Sequence, residues 1–361
     1  MTTLYVTEPG ARIEKEYRHL LVTVEDETRL RVPLADVSHV VLVGQGVGVT
    51  TPALHALLAA DVGLSLVNRA GKLLGRLNPP SGLNLELRRR QYGRAADPAF
   101  CLAFARQIVI GKLQNYRTLA QRWQRKRPGG PVPPGVPAPP TAPIQPVAAA
   151  PSSAAAPATA LARLAAAVEE AGRAPDLATL RGVEGAGSKA YFAAVRSVLR
   201  SDFVFEKRTR RPPRDPTNAL LSLGYTLLGE AMAAALEVVG LDPYEGFYHA
   251  DKYGRPALAL DLLEEFRGPV ADSVALTLIN KRMLDVEDFE EATEDGETGI
   301  YLSRRGLAVY LREFSERLQA TVTHPLAGRP LSYQKCLEVQ ARQAAKVVLG
   351  EADVYRPLRV R

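Results

Sequence analysis

The sequence predicts an α+β chain, with a β-rich N-terminal domain over residues 1–80 and a larger helical domain over residues 83–361. Three observations carry this prediction. Short β-branched runs alternate with turn residues up to residue 80. From Leu83 onward apolar residues recur at helical spacing. Between the two, Asn78-Pro79-Pro80-Ser81-Gly82 breaks any regular element and marks the boundary.

The strands fall at Leu4–Thr7, Leu20–Val24, Leu30–Leu34, His39–Val43 and Leu64–Val67. Turn material such as Glu25-Asp26-Glu27, Gly44-Gln45-Gly46 and Arg69-Ala70-Gly71 separates them. Pro52–Ala60 reads as a helix behind a Thr50/Thr51 cap. Past the boundary, helical spacing covers Leu85–Tyr92, Ala99–Trp123, Ala160–Ala171, Ser188–Leu199 and Ala219–Val239. It continues over Ala257–Arg267, Val274–Met283, Arg304–Leu318 and Ser332–Leu349, with Gly240 and Gly350 as stops. Residues 128–157 hold eleven prolines in thirty positions and no charge, which predicts an extended segment. Helical sequence on both sides makes it an insertion at the tip of a hairpin, with Ala99–Trp123 and Ala160–Ala171 as arms. A PxxP ligand, from Pro131 and Pro134 or from Pro137 and Pro140, is the functional alternative.

A net charge of +7 and a pI near 9.4 favour a polyanionic partner. Residues 1–80 hold eight Lys/Arg against eight Asp/Glu, so the later part carries the surplus, 38 against 31. Only Cys101 and Cys336 occur, which excludes a disulfide scaffold and any CxxC metal module and reads as two buried hydrophobes. The N-terminus lacks the basic start and apolar core of a signal peptide. No apolar run approaches the length that spans a bilayer. The expectation is a cytoplasmic protein with no membrane partner. GxxxxGK[ST], HExxH and GxSxG are all absent.

Chemistry concentrates at Gly246-Phe247-Tyr248-His249 and the helix Leu258-Ala259-Leu260-Asp261-Leu262-Leu263-Glu264. Asp261 and Glu264 are three apart, so a helix projects both from one face. A carboxylate buried there costs several kcal/mol, roughly, without a counter-charge. Arg255 and Arg267 supply it as salt bridges in one reading. In the other, histidine and carboxylates hold magnesium or manganese for phosphoryl chemistry. Spacing alone leaves both open. Glu184, bracketed by Gly182 and Gly185 and just ahead of a helix starting near Ser188, is the candidate third ligand. Its alternative is an acid near a helix N-terminus.

Two basic clusters point to a nucleic-acid backbone rather than a small substrate. One is Lys207, Arg208, Arg210, Arg211 and Arg214, followed by Thr217 and Asn218 as further donors or a cap, on a proline-stiffened loop. The other is Arg88-Arg89-Arg90. Lys189 follows Glu184 on the next helix.

Taken together, these segments resemble the CRISPR-associated integrase family of spacer acquisition, Cas protein one, over essentially the whole chain. The resemblance rests on Arg211-Pro212-Pro213-Arg214-Asp215-Pro216-Thr217-Asn218, Val183-Glu184-Gly185 with Tyr191-Phe192, Gly246–His249, Leu258–Arg267 and Leu276–Asn280. It implies an all-helical C-terminal catalytic domain behind an N-terminal domain that dimerises. It also implies a divalent metal on Glu184, His249 and Glu264, with Asp261 an additional acid. The implied partners are double-stranded DNA, as fragment and CRISPR repeat, a second copy of the chain, and a small ferredoxin-like second CRISPR adaptation protein. The implied activity is insertion of short foreign DNA as spacers by transesterification, with nuclease activity when water attacks. Ser273 stands where the resemblance leads one to expect a basic residue. A branched-DNA repair nuclease and a non-enzymatic DNA-binding scaffold held by salt bridges are the alternatives.

Overall fold

The structure is a computed structural model that describes residues 2–68, 73–79, 84–125, 156–209, 212–249, 254–294 and 296–360. The N-terminal strands form two four-stranded sheets. One orders β1 (Thr2–Val6), β5 (Val37–Val43), β7 (Gly63–Val67) and β8 (Leu73–Leu77), parallel except for β8. The other orders β4 (Glu27–Pro33), β3 (His19–Val24), β2 (Arg12–Glu16) and β6 (Gly48–Val49). Glu25 and Asp26 both take positive φ between β3 and β4, the conformation that matches a two-residue hairpin to strand twist. Helix α1 (Thr51–Ala59) starts behind Thr50, whose hydroxyl accepts from Ala53 N at 3.4 Å. Leu4, Val6, Ile13, Leu20, Val40, Leu42, Leu57 and Leu64 form the core of this part.

Helices dominate the remainder: α2 (Leu85–Ala95), α3 (Pro98–Arg125), α4 (Ala156–Arg173), α5 (Leu177–Val198) and α6 (Pro216–Val239). They continue as α7 (Ala257–Phe266), α8 (Ser273–Asn280), α9 (Arg304–Gln319) and α10 (Tyr333–Leu349). Gly240 and Gly350 end α6 and α10 in the left-handed region, at φ of 96° and 80°. Helices α3, α6 and α7 bury one continuous apolar core, with Leu113, Leu228, Leu262 and Leu263 fully inside. Arg76 of β8 bonds to Glu230 at 2.9 Å and to Glu237 at 3.2 Å, which ties the strands to α6.

Four expectations change. The C-terminal part is not all-helical: β9 (Phe289–Glu294) pairs with β10 (Glu297–Leu302), and β11 (Thr321–Thr323) with β12 (Pro330–Ser332). The first hairpin serves the basic loop, since Ile300 N donates to Pro213 O at 2.9 Å. Second, α5 begins at Leu177, behind the Asp176 cap, and not near Ser188. Tertiary packing overrides the glycines there, and Gly187 lets Leu113 of α3 come where a Cβ would lie 2.4 Å away. Third, α6 is long and apolar enough to cross a membrane, with a mean hydropathy of 1.5 over an 18-residue window. That window is 67% buried inside the fold, so the apolar character is used as core. Fourth, most of the Pro/Ala-rich stretch 128–157 lies outside the described residues, and its last two residues open α4. Its proposed arms, α3 and α4, do pack against each other.

Between α7 and α8 the backbone widens into a π-helical turn over Arg267–Asp272. Pro269 has no N–H to give the α-helical ladder, and Ser273 Oγ donates back to Gly268 O at 2.9 Å. Arg267, at the start of this turn, is three residues past Glu264 and pairs with it on the same helix face. Cys101 and Cys336 are buried free thiols, pushed up by burial to about 11 and about 12.

Candidate active site

The site is built where the segment before α7 crosses that helix. A Cβ on Gly246 would sit 2.7 Å from Ala257 C, so only glycine permits the crossing. Asp261 then accepts from three successive backbone amides. Its Oδ2 takes Phe247 N at 2.7 Å and Tyr248 N at 3.0 Å, and its Oδ1 takes His249 N at 3.0 Å. The same Oδ1 lies 2.8 Å from His249 Nδ1. Helix α2 braces the approach: Gln91 donates to Asp242 O and Glu245 O and accepts from Asp242 N. Gly246→Ala is expected to lower stability by about 2 kcal/mol through this clash. Chemical denaturation checks it, and a midpoint unchanged from wild type would contradict the packing.

With Asp261 on Nδ1, the imidazole turns Nε2 toward Glu264, whose Oε1 is 3.8 Å away. Lys112 of α3 stands between Glu264 and Glu184. Its Nζ is 2.7 Å from Glu264 Oε2 and donates to Glu184 Oε1. The Tyr248 hydroxyl donates to Glu184 Oε2 at 2.7 Å, and Arg267 pairs with Glu264 Oε1 at 3.0 Å. Two carboxylates therefore face two cations. Burial works to raise the Glu184 carboxyl, but the Lys112 ammonium and the Tyr248 hydroxyl hold it at about 2. Glu264 likewise lies below its ordinary range despite burial, through Arg267 and then Lys112. Burial opposes the charge on Lys112, yet Glu184 and Glu264 raise its pKa.

These positions sharpen the expected assignments. Glu184, His249 and Glu264 are brought together, though Glu184 comes from the middle of α5 and not from a loop before it. Asp261, expected among the catalytic acids, has both its oxygens occupied by four donors from the His249 segment. Of the two salt bridges expected for the acids, Glu264 with Arg267 is present, while Asp261 holds His249. Asn218 and Arg208, expected as DNA contacts, are corrected. Asn218 is fully buried, accepts from Thr209 N and Arg208 Nη1, and donates to Lys207 O. Arg208 bonds inward to Asn218 and Ser222. Both residues fasten the basic loop. Lys189, Lys207, Arg214, Arg89 and Arg90 are exposed, Arg90 in a pair with Glu86, whereas Arg88 is half-buried with Nε on Gly240 O. Arg210 and Arg211 lie outside the described residues.

Lys112 and Tyr248 are the residues that sequence reasoning missed. The available signal was a lysine inside the apolar stripe of α3, where Phe104, Ala105, Ile108, Leu113, Tyr116 and Leu119 are buried. Among the described residues, no three His, Cys, Asp or Glu side chains stand close enough together to hold an ion as they are. The donor chemistry nevertheless suits a divalent cation. Glu264 Oε2 is a buried carboxylate oxygen with no aligned hydrogen-bond donor, and His249 Nε2 faces the same space.

The comparisons agree with one another. A chain from Thermus thermophilus, named CRISPR-associated endonuclease Cas1 3, is 37% identical over 99% of this chain and 97% of its own length. A Cas4/Cas1 fusion from Geobacter sulfurreducens, named as exonuclease and endonuclease, is 35% identical, and this chain spans 59% of it. Among solved structures, a Cas1 protein from Thermotoga maritima superposes with a TM-score of 0.75 at 22% identity, covering 98% of both chains. A casposase bound to integration product gives 0.78 at 20% identity, over 99% of this chain and 93% of that one. At such identities the structural matches speak for the fold alone. The profile described as CRISPR associated protein Cas1 matches residues 4–316, so the chain belongs to the Cas1 family.

Proposed function

We propose that the protein is a divalent-metal-dependent DNA integrase and endonuclease that inserts short foreign fragments as spacers into a CRISPR array. One observation carries the reading: Asp261 fixes the His249 ring so that Nε2 faces the buried carboxylate Glu264, with Glu184 across Lys112. Family membership, relatives named as endonucleases and the fold of a casposase bound to integration product support it.

A magnesium or manganese ion held by Glu184, His249 Nε2 and Glu264 would polarise the scissile phosphate and steady the charge on the attacking or leaving oxygen. The protein residues orient the rest. Asp261 keeps the Nδ1 proton in place, which leaves the Nε2 lone pair outward. Tyr248 aims one Glu184 oxygen. The 3′-hydroxyl of the fragment forms the new phosphorus–oxygen bond as the repeat's own bond breaks, so one phosphodiester replaces another and positioning is the main demand. With water attacking, the same centre nicks DNA.

Lys189, Lys207, Arg89 and Arg214 are the exposed bases from the expected clusters that this reading assigns to the DNA backbone. The reading includes a homodimer through the N-terminal part, a small ferredoxin-like Cas2 partner and a cytoplasmic setting. Two Cas6-RT-Cas1–Cas2 complexes share the fold, one with a TM-score of 0.76 at 24% identity, over all of this chain and 36% of that one. Glu184→Ala and His249→Ala are each expected to cut manganese-dependent plasmid nicking on the order of 100-fold. Wild-type nicking by both variants would instead favour the DNA-binding scaffold, in which Lys112 and Arg267 are permanent counter-ions.

A further inference from the structure

Lys112 is the residue at the centre that the proposed chemistry does not use. Its side chain is 4% exposed, and its ammonium touches a carboxylate oxygen from each of two helices. Removed from water, Glu184 and Glu264 would repel each other strongly with nothing between them. Among the described residues, no three acids or histidines gather closely enough here to hold an ion while the ammonium is between them. On the far side of Glu264, Arg267 already takes the other oxygen. With Asp261 on His249, three carboxylates stand against two cations, so adding two positive charges leaves an excess of one, which the release of one resident cation removes. Lys112 is the one with somewhere to go. Its four-carbon stem is flexible, and its ammonium lies only loosely over the Tyr116 ring, 5.6 Å from the centroid. Arg267 instead rests on Tyr225 at 4.6 Å, on the widened turn itself.

We propose that Lys112 is a built-in stand-in cation, which holds the carboxylates together in the metal-free protein and competes with the divalent ion for Glu184 and Glu264. This rests on the metal-dependent reading of the same centre. Lys112 thus acts as a positioning residue that sets how tightly metal binds. It also explains how two acids can be buried at one point before any ion arrives.

The test is manganese binding to the DNA-free protein, followed by the electron paramagnetic resonance of free Mn²⁺, together with thermal unfolding. Lys112→Met keeps length and removes charge. Its unfolding midpoint without metal is expected below that of wild type, while its Mn²⁺ affinity rises tenfold or more and its midpoint climbs further on adding Mn²⁺. Lys112→Arg, which keeps the charge, is expected to bind Mn²⁺ no more tightly than wild type. Equal or weaker Mn²⁺ binding by Lys112→Met overturns the competition. Should Lys112→Met not fold alone, cooperative unfolding is expected to return as Mn²⁺ is added, and a chain that stays unfolded overturns the proposal as well. His249→Ala separates the two levels. Wild-type Mn²⁺ binding that His249→Ala leaves intact overturns the metal reading itself. Binding lost in His249→Ala but unchanged in Lys112→Met overturns only the competition.

Discussion

Asp261→Asn is expected to lower stability by about 3 kcal/mol and to reduce manganese-dependent nicking on the order of 100-fold, although Asp261 touches neither DNA nor metal in the proposed mechanism. Both oxygens of Asp261 face donors: the amides of Phe247 and Tyr248 on one side, the amide and Nδ1 of His249 on the other. An asparagine amide has to present its NH2 group to one of these pairs. Against the first pair it strands two buried backbone donors. Against the second it strands one and forces the ring into the other tautomer, so that Nε2 carries the proton and loses its lone pair. Either way the segment that holds His249 loses its anchor on α7. Urea unfolding and a nicking time course are the measurements. A variant as stable and active as wild type would sink the assignment of Asp261 as the residue that sets the ring.

Stability is expected to decline as pH rises from about 6.5 to about 8, by about 2 kcal/mol. The cause is Glu265, next to Glu264 and about 100° round α7 from it. It is fully buried against the C-terminal tail, where it accepts from Tyr355 Oη at 2.5 Å, from Gln340 Nε2 at 2.9 Å and from Leu358 N. Burial pushes its carboxyl up to about 8, although these donors pull the other way. Asp272, buried beneath the Tyr191 and Tyr225 hydroxyls, is pushed by burial to about 6. A carboxyl raised in the folded chain holds its proton more tightly there than in the unfolded one. Its stabilisation is therefore complete below the ordinary carboxylate range and is lost as pH climbs through the folded value. Asp272 contributes up to about pH 6 and Glu265 up to about pH 8. Denaturation midpoints at several pH values measure the slope, and Glu265→Gln is expected to flatten it above pH 6. Wild-type stability that rises across this range would contradict the assignment.

Much of the fold was legible because its patterns are local. Short β-branched runs gave β3, β5 and β7, and the apolar stripe gave the long helices. Strand β2, Arg-Ile-Glu-Lys-Glu, was not legible: it fills the sheet between β3 and β6, yet only Ile13 is fully buried. The first half of α5 was hidden by three glycines, of which Gly187 gives close contact with α3 while Gly182 and Gly185 face open space. At the site, the motifs named Glu184, His249 and Glu264, which the structure brings together, but not the contacts each one makes. A spacing of three put Asp261 and Glu264 on one face, but it did not say that the preceding segment would fold back and take Asp261 for its amides. Lys112 was invisible for a different reason. Its meaning depends on two acids, one 72 residues later on α5 and one on α7, that meet it only in three dimensions.

The hairpin of α3 and α4 has a practical consequence for anyone who wishes to decorate this protein. Arg125, where α3 ends, is thirteen residues beyond Lys112 and so about 20 Å along the helix axis from the carboxylates. Chain added between Arg125 and Ala156 adds only slowly to the entropy of closing the loop. A fluorescent reporter or an affinity handle joined at Arg125 starts that far from the reacting groups, which makes the end of α3 a natural attachment point for labelling the protein.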